Sequence, residues 1–274
     1  MAGQIRRMNL KVCLVGEPAV GKTSLLHRYV YNAFDAAYRA TLGGKLYLLS
    51  FSKYITKSEI VEAQIALFDL MGQHAAKDAF RDSMFWGAHG FLAVADLTRP
   101  ETLYELRHWV EAVQGVTGDI PFAILLNKSD LIARTPIGPR ETQWLLATFP
   151  QTPYALTSAK TGEGVGYAFE SLLNRMVDGL LAQFRQREER TRMAQRVLEM
   201  AKRRGAIGVT TTELLASLRG MDIRTLTSRL EDLQRLGYVV LEEIGPGRLR
   251  VLLTSPGEEA VRTGLEDVVV EGEP

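Results

Sequence analysis

Cysteine is nearly missing from this 274-residue chain: Cys13 stands alone, so no disulfide can form within it. The thiol falls in the apolar run 10–15, where a small buried side chain is its expected role. No segment approaches the roughly 20 apolar residues of a membrane span, and the first residues hold no signal-peptide core. Position 2 is Ala, and the final Val-Glu-Gly-Glu-Pro offers no cysteine, so no lipid anchor is expected. Excess charge is missing too. Lys and Arg number 33 against 32 Asp and Glu, and the balance of +1 removes any global electrostatic argument for nucleic acid or membrane, though a local patch stays open. Hydrophobic residues at 46% and charged residues at 24% are those of a soluble folded protein. The length suits one large domain or two modest ones, and a cytoplasmic location is expected.

What is present begins at Gly16. The segment Gly-Glu-Pro-Ala-Val-Gly-Lys-Thr-Ser, 16–24, follows the apolar run 10–15 and opens a helical stretch, which is the setting that GxxxxGK[ST] requires. Glycines let a backbone wrap closely around phosphates, successive N–H groups point inward, and the helix presents its positive end. Gly16, Ala19, Val20, Gly21, Lys22, Thr23 and Ser24 are therefore candidate phosphate contacts. Lys22 would reach the outer phosphates, and Thr23 would bind magnesium.

A phosphate loop does not choose between ATP and GTP. Residues 66–73, Ala-Leu-Phe-Asp-Leu-Met-Gly-Gln, form an apolar strand ending at Asp69, which could hold Mg2+ through water; Gly72 could offer its N–H to a terminal phosphate, and Gln73 could orient a water. Residues 122–130, Phe-Ala-Ile-Leu-Leu-Asn-Lys-Ser-Asp, form another buried strand running into polar residues at its carboxyl end, where open α/β sheets bind ligands. A buried carboxylate at Asp130 could accept from both N1–H and the 2-amino group of guanine, which adenine cannot supply. Asn127 and Lys128 stand in the same turn. The strand at 154–157 leads to Ser158, Ala159 and Lys160, whose backbone N–H groups could meet the guanine oxygen.

Taken in order and spacing, Gly16–Ser24, Asp69–Gln73, Asn127–Asp130 and Ser158–Lys160 resemble a small GTPase of the Ras superfamily, of the Rab-like branch. The resemblance covers about residues 8–180. It implies a P-loop NTPase G domain that binds GTP and GDP with Mg2+ and hydrolyses GTP. Phe34 then sits where the family places an aromatic over the guanine, and Thr41 where the first switch offers a hydroxyl to magnesium and the γ-phosphate. Lys22, Thr41 and Gln73 become the catalytic set, and Thr23, Thr41 and, through water, Asp69 the metal set. The segment 96–101 is similar to the Rab-like loop that caps the next helix. An effector, an exchange factor or an activating protein is the implied partner. Apolar runs at 10–15, 46–51, 63–70, 90–95, 122–126 and 154–157 alternate with helical stretches, which independently argues a mostly parallel six-stranded sheet covered on both faces.

Two positions depart from the family pattern. Pro18 and Ala19 stand where many relatives carry glycine, and the ring of Pro18 is expected to impede an arginine delivered by a partner. Residues 53–59 are polar enough to be an extended hairpin connection. Arg39, two residues before Thr41, is read as an exposed switch arginine, with a built-in arginine finger as the competing idea.

Beyond Gly179 the resemblance ends. Residues 180–204 contain no helix breaker, and the charges between Gln183 and Arg192 read as the solvated face of a helical linker, 181–192. From 193 onward the pattern is a helix with Ala194, Val197, Leu198 and Ala201, a second helix opening at Thr210–Glu213, and a third capped by Asp222. Strands at 238–244 and 248–254 around Gly-Pro-Gly follow, then a short helix at 256–263. This order resembles a winged helix domain over 193–274, a small α+β fold after the α/β domain of 1–180. Its third helix directs Arg224, Thr225, Thr227, Ser228 and Arg229 outward, with Arg248 and Arg250 near the wing, so DNA is possible. Residues 191–274, however, hold 12 basic against 13 acidic side chains, and a protein-binding role is favoured.

Overall fold

The computed structural model describes residues 4–32, 45–56, 59–69, 84–134, 137–218 and 220–265. The chain divides into two compact units, Met1–Gly179 and Leu180–Pro274.

In the first unit, β1 (Gln4–Val15) leads to α1 (Lys22–Tyr31), then β2 (Lys45–Thr56) and β3 (Glu59–Asp69). β4 (Gly90–Asp96), α2 (Glu101–Tyr104) and α3 (Leu106–Thr117) precede β5 (Phe122–Asn127), a 3-10 turn (Ser129–Arg134), α4 (Pro139–Thr148), β6 (Tyr154–Thr157) and the start of α5 (Val165–Arg204), whose residues from Leu180 belong to the second unit. The sheet order is β2-β3-β1-β4-β5-β6; only β2 runs antiparallel to its neighbour. β4 reads Gly-Phe-Leu-Ala-Val-Ala-Asp and is buried at every residue, as a parallel strand covered on both faces must be. One face packs Phe91, Ala93 and Ile124 against Leu103, Leu106, Trp109 and Val113 of the α2–α3 segment.

Strand registers set the site. Leu14 pairs with Asp69, Asp96 with Asn127, and Asn127 with Thr157, so the polar residues end their strands at one edge of the sheet. Because β1 has β3 on one side and β4 on the other, the chain reverses direction of travel there, and the loop after β1 opens into that crevice.

Two expectations change. The polar stretch 53–59 is not an extended connection: Lys53–Thr56 complete β2 and Glu59 begins β3. Its polarity reflects a two-residue period, with Ser52, Tyr54 and Thr56 exposed on the outer face of an edge strand. β1 likewise starts at Gln4, well before its apolar run, because Arg6 and Arg7 pair with Glu59 and Glu62 across the β1–β3 ladder. The expected helical stretch 181–192 is present, and it is continuous with the helix around Ala194 in the 40-residue α5. Without proline from Val165 to Arg204, nothing stops the helix, and Gly166 and Gly179 cost only about 1 kcal/mol each.

The second unit has its own core. The last turns of α5 bury Met193, Ala194, Val197, Leu198 and Ala201; α6 (Thr211–Ser217) adds Leu214, and α7 (Ile223–Arg235) adds Leu226, Leu230 and Leu233. Each such Leu or Val gives roughly 1.5–3 kcal/mol on burial. Thr210 caps α6 in a reciprocal pair with Glu213, and Asp222 caps α7 by accepting from the Thr225 N–H at 3.0 Å. β7 (Val209–Thr210), β8 (Val239–Gly245) and β9 (Arg248–Leu253) form an antiparallel sheet ordered β7-β9-β8, followed by α8 (Ser255–Thr263).

Candidate active site

Residues 16–21 join β1 to α1 under tight steric control. Gly16 has φ +134°, and a Cβ there would run into the Val94 carbonyl; Gly21 has φ +101°, and a Cβ there would meet the Asn127 amide. Ala19 accepts φ +62° without being glycine. The loop is thus wedged against β4 and β5. Lys22 starts α1 and is buried, its Nζ donating to the carbonyls of Gly16 (2.7 Å) and Glu17 (2.9 Å). Burial brings its pKa down to about 8, opposed by the charges of Asp69 and Glu17 and assisted by Arg99. Thr23 Oγ1 donates to Asp69 Oδ2 at 2.5 Å, with Asp69 1% exposed at the end of β3. Glu17 accepts from the indole N–H of Trp109 at 3.0 Å, and Ser24 lies in the first turn of α1.

Across the sheet edge, Asn127 is a bridge. Its Nδ2 donates to the Val20 carbonyl at 2.8 Å, while Oδ1 accepts from the Ala159 N–H at 3.2 Å and the Thr157 hydroxyl at 3.4 Å. Both ends of the amide are engaged by protein, and Asn127 joins the phosphate loop to the turn after β6. Asp130 Oδ1 accepts from Ser158 Oγ at 2.6 Å. Ser158 is fully buried, and Asp130, in the 3-10 turn that follows β5, is exposed.

Lys128 takes φ +70° and its ammonium reaches Asp96 Oδ2 at 2.6 Å. Asp96 does not belong to a helix cap. The residue before α2 is Pro100, which has no capping side chain; the Asp96 carboxylate instead accepts from Thr98 N–H (2.9 Å), Thr98 Oγ1 (2.7 Å) and Arg99 Nε (3.0 Å) as well as Lys128. Burial alone would raise its pKa; the hydrogen bonds from Lys128, Thr98 and Arg99 outweigh that and hold it below the ordinary carboxylate value. Arg99 also donates to the Pro18 carbonyl at 2.8 Å, so one buried carboxylate ties the phosphate loop to the turn of Lys128.

Sequence reasoning missed Arg99, and it missed Arg28, which ties α1 to the 158–160 turn through backbone carbonyls. The acceptors by which Arg28 holds the turn and Arg99 holds Pro18 are backbone carbonyls, which carry no residue identity. Lys22, Thr23 and Asp69 come together at one end, Asn127, Asp130, Ser158 and Ala159 at the other, with Lys160 exposed beside them. Phe34, Arg39, Thr41, Gly72 and Gln73 lie outside the described residues.

Residues 11–178 match the family model described as the Ras family. The chain belongs to the Ras family. That makes it a small GTPase over this part of its length. It is 30% identical over 164 residues to the Ras-related protein RabC of Dictyostelium discoideum, covering 60% of this chain and 81% of that protein. Similarity to the Ras-related protein Rab-18 of Caenorhabditis briggsae is 32% over 170 residues, with coverages of 61% and 80%. Against the Ras-related protein Rab7 of Drosophila melanogaster it is 31% over 178 residues, with coverages of 62% and 81%. The family match leaves out residues 179–274 of this GTPase.

Proposed function

We propose that this chain is a nucleotide-dependent switch that cycles between GTP and GDP. The observation that carries the reading is one frame with two ends: Lys22, Thr23 and Asp69 at the phosphate end, Asp130 with Ser158 at the base end, joined by the Asn127 bridge. Asp130 is assigned to guanine N1–H and the 2-amino group, and bound base would cover its exposed carboxylate. Loop N–H groups and Lys22 bind phosphate oxygens, whose negative charge would draw the Lys22 pKa back up.

The oxygen donors of Thr23 and the nearly inaccessible Asp69 suit magnesium, with water between Asp69 and the ion. Among the described residues no group of three or more His, Cys, Asp or Glu could hold a metal unaided, so nucleotide oxygens would share the coordination. Magnesium there neutralises charge on the β- and γ-phosphates. Gln73 is assigned to orienting the attacking water, Thr41 and Gly72 to the γ-phosphate, and Phe34 to the base face.

The second unit reads as a winged helix that binds protein, so that effectors, an exchange factor or an activating protein meet the first unit while this module adds a contact of its own. Two of the outward cations expected to serve DNA are already taken: Arg229 pairs with Asp232 at 3.4 Å and Arg250 with Glu242 at 3.7 Å. A DNA-binding regulator is therefore the weaker reading. No helix among the described residues is long and apolar enough to cross a membrane; the cytoplasm, where GTP is plentiful, is the proposed location.

Single-turnover phosphate release tests the core of this reading. Wild type with magnesium is expected to release phosphate from GTP and not from ATP, and Asp130→Asn to lose at least about 100-fold in guanine-nucleotide affinity. Equal turnover of ATP would overturn it. Salt-sensitive DNA retention by the full chain would move the second unit to the regulator reading.

A further inference from the structure

Arg28 lies in the last turn of α1, far in sequence from the turn it holds. Its Nε donates to the Ala159 carbonyl at 2.9 Å and its Nη2 to the Lys160 carbonyl at 2.6 Å; Nη1 reaches the carbonyl of Asn32, the αL residue that ends the helix, at 3.1 Å. One planar cation therefore fixes two successive peptide units of the 158–160 turn.

The first of those units decides its consequence. The Ala159 carbonyl and the Lys160 N–H belong to the same peptide, which is planar and trans, so they point in opposite directions. With the carbonyl held on Arg28, the Lys160 N–H is aimed away from the guanidinium. Around it the other amides are occupied: Ser158 N–H by the Glu163 carbonyl, Ala159 N–H by Asn127, Thr161 N–H by Ser158 Oγ and Gly162 N–H by the Ser158 carbonyl. Among the described residues, the Lys160 N–H has no protein acceptor. A cation on the carbonyl also polarises the peptide and strengthens its N–H as a donor.

We propose that Arg28 is a positioning residue for base recognition, aiming and polarising the Lys160 N–H toward the 6-oxygen of guanine. This rests on the guanine reading above. Asp130 selects the N1–H and 2-amino edge; Arg28 acts through a different atom of the base, and nucleotide analogues can separate the two. In 6-thio-GDP the acceptor at position 6 is a weak one while the N1–H and 2-amino donors remain. In IDP the 6-oxygen is kept and the 2-amino group is missing.

The test measures dissociation constants of GDP, 6-thio-GDP and IDP for wild type, Arg28→Ala and Arg28→Lys. Wild type is expected to prefer GDP over both analogues. Arg28→Ala is expected to bind GDP about tenfold more weakly, with the GDP to 6-thio-GDP preference falling toward unity and the GDP to IDP preference unchanged. Arg28→Lys keeps the charge but can hold only part of the carbonyl pair, so it should fall between the two and also guards against misfolding of the alanine variant. Equal loss for all three nucleotides, or no loss for GDP, would overturn the role of Arg28. A wild-type protein that binds none of them would overturn the guanine site itself.

Discussion

Asp96 shows how much one buried side chain can organise. It is inaccessible to solvent, yet two cations and two Thr98 donors converge on it, and one of those cations continues to Pro18. Asp96→Asn would keep the shape and remove the charge, leaving Lys128 and Arg99 facing an amide. Both cations reach solvent, so the expected loss is moderate, about 1–3 kcal/mol in urea unfolding at pH 7. Because the folded carboxyl titrates below its ordinary value, its contribution is present above about pH 4 and disappears as pH falls below that; the gap between variant and wild type should close there. Cys13 titrates with the opposite sense. Burial pushes its thiol up to about 11, so the folded state favours the neutral form, and this contribution is complete below about pH 9 and lost as pH rises through 11. Alkylation of Cys13 at pH 8 is expected to proceed only as fast as the protein opens; rapid labelling of folded protein would contradict its burial.

At the scale of elements, legibility followed chemistry that leaves a mark on residue identity. The phosphate loop was legible because Gly16, Gly21, Lys22 and Thr23 each answer a separate demand, and the caps at Thr210 and Asp222 because a side-chain oxygen must precede the helix. The length of β2 and β3 was not, since an edge hairpin with one wet face has the composition of a loop. The helical run through 181–192 was legible from the absence of a breaker, and its charge is that of a solvated helix face. The steric wedge at Gly21 makes a sharp prediction. Gly21→Ala places a methyl group against the Asn127 amide at a backbone angle that alanine resists, and is expected to cost about 2 kcal/mol or more. Thermal unfolding should drop by about 4 °C or more, and nucleotide affinity with it, because displacing Asn127 releases both Val20 and Ala159.

Over the whole molecule, each unit has buried hydrophobic packing of its own among the described residues, the first on its six-stranded sheet and the second among the last turns of α5, α6, α7 and the three-stranded sheet. The family match ends at residue 178, next to the division after Gly179. The distribution of one residue type has an optical consequence. Trp86, Trp109 and Trp144 all fall in the first unit, and the second contains no tryptophan. Tryptophan emission therefore reports the GTPase unit alone, whereas far-ultraviolet circular dichroism sums the peptide bonds of both. Saturating GDP, at about 1,000 times its dissociation constant, is expected to stabilise the emission-detected transition by about 4 kcal/mol and to leave the remaining dichroism change in place. Trp109 is buried, and its indole N–H is bound to Glu17 inside the phosphate loop. Its quantum yield is thus wired to that loop, and filling or emptying the nucleotide site is expected to be visible in the protein's own fluorescence without any attached dye.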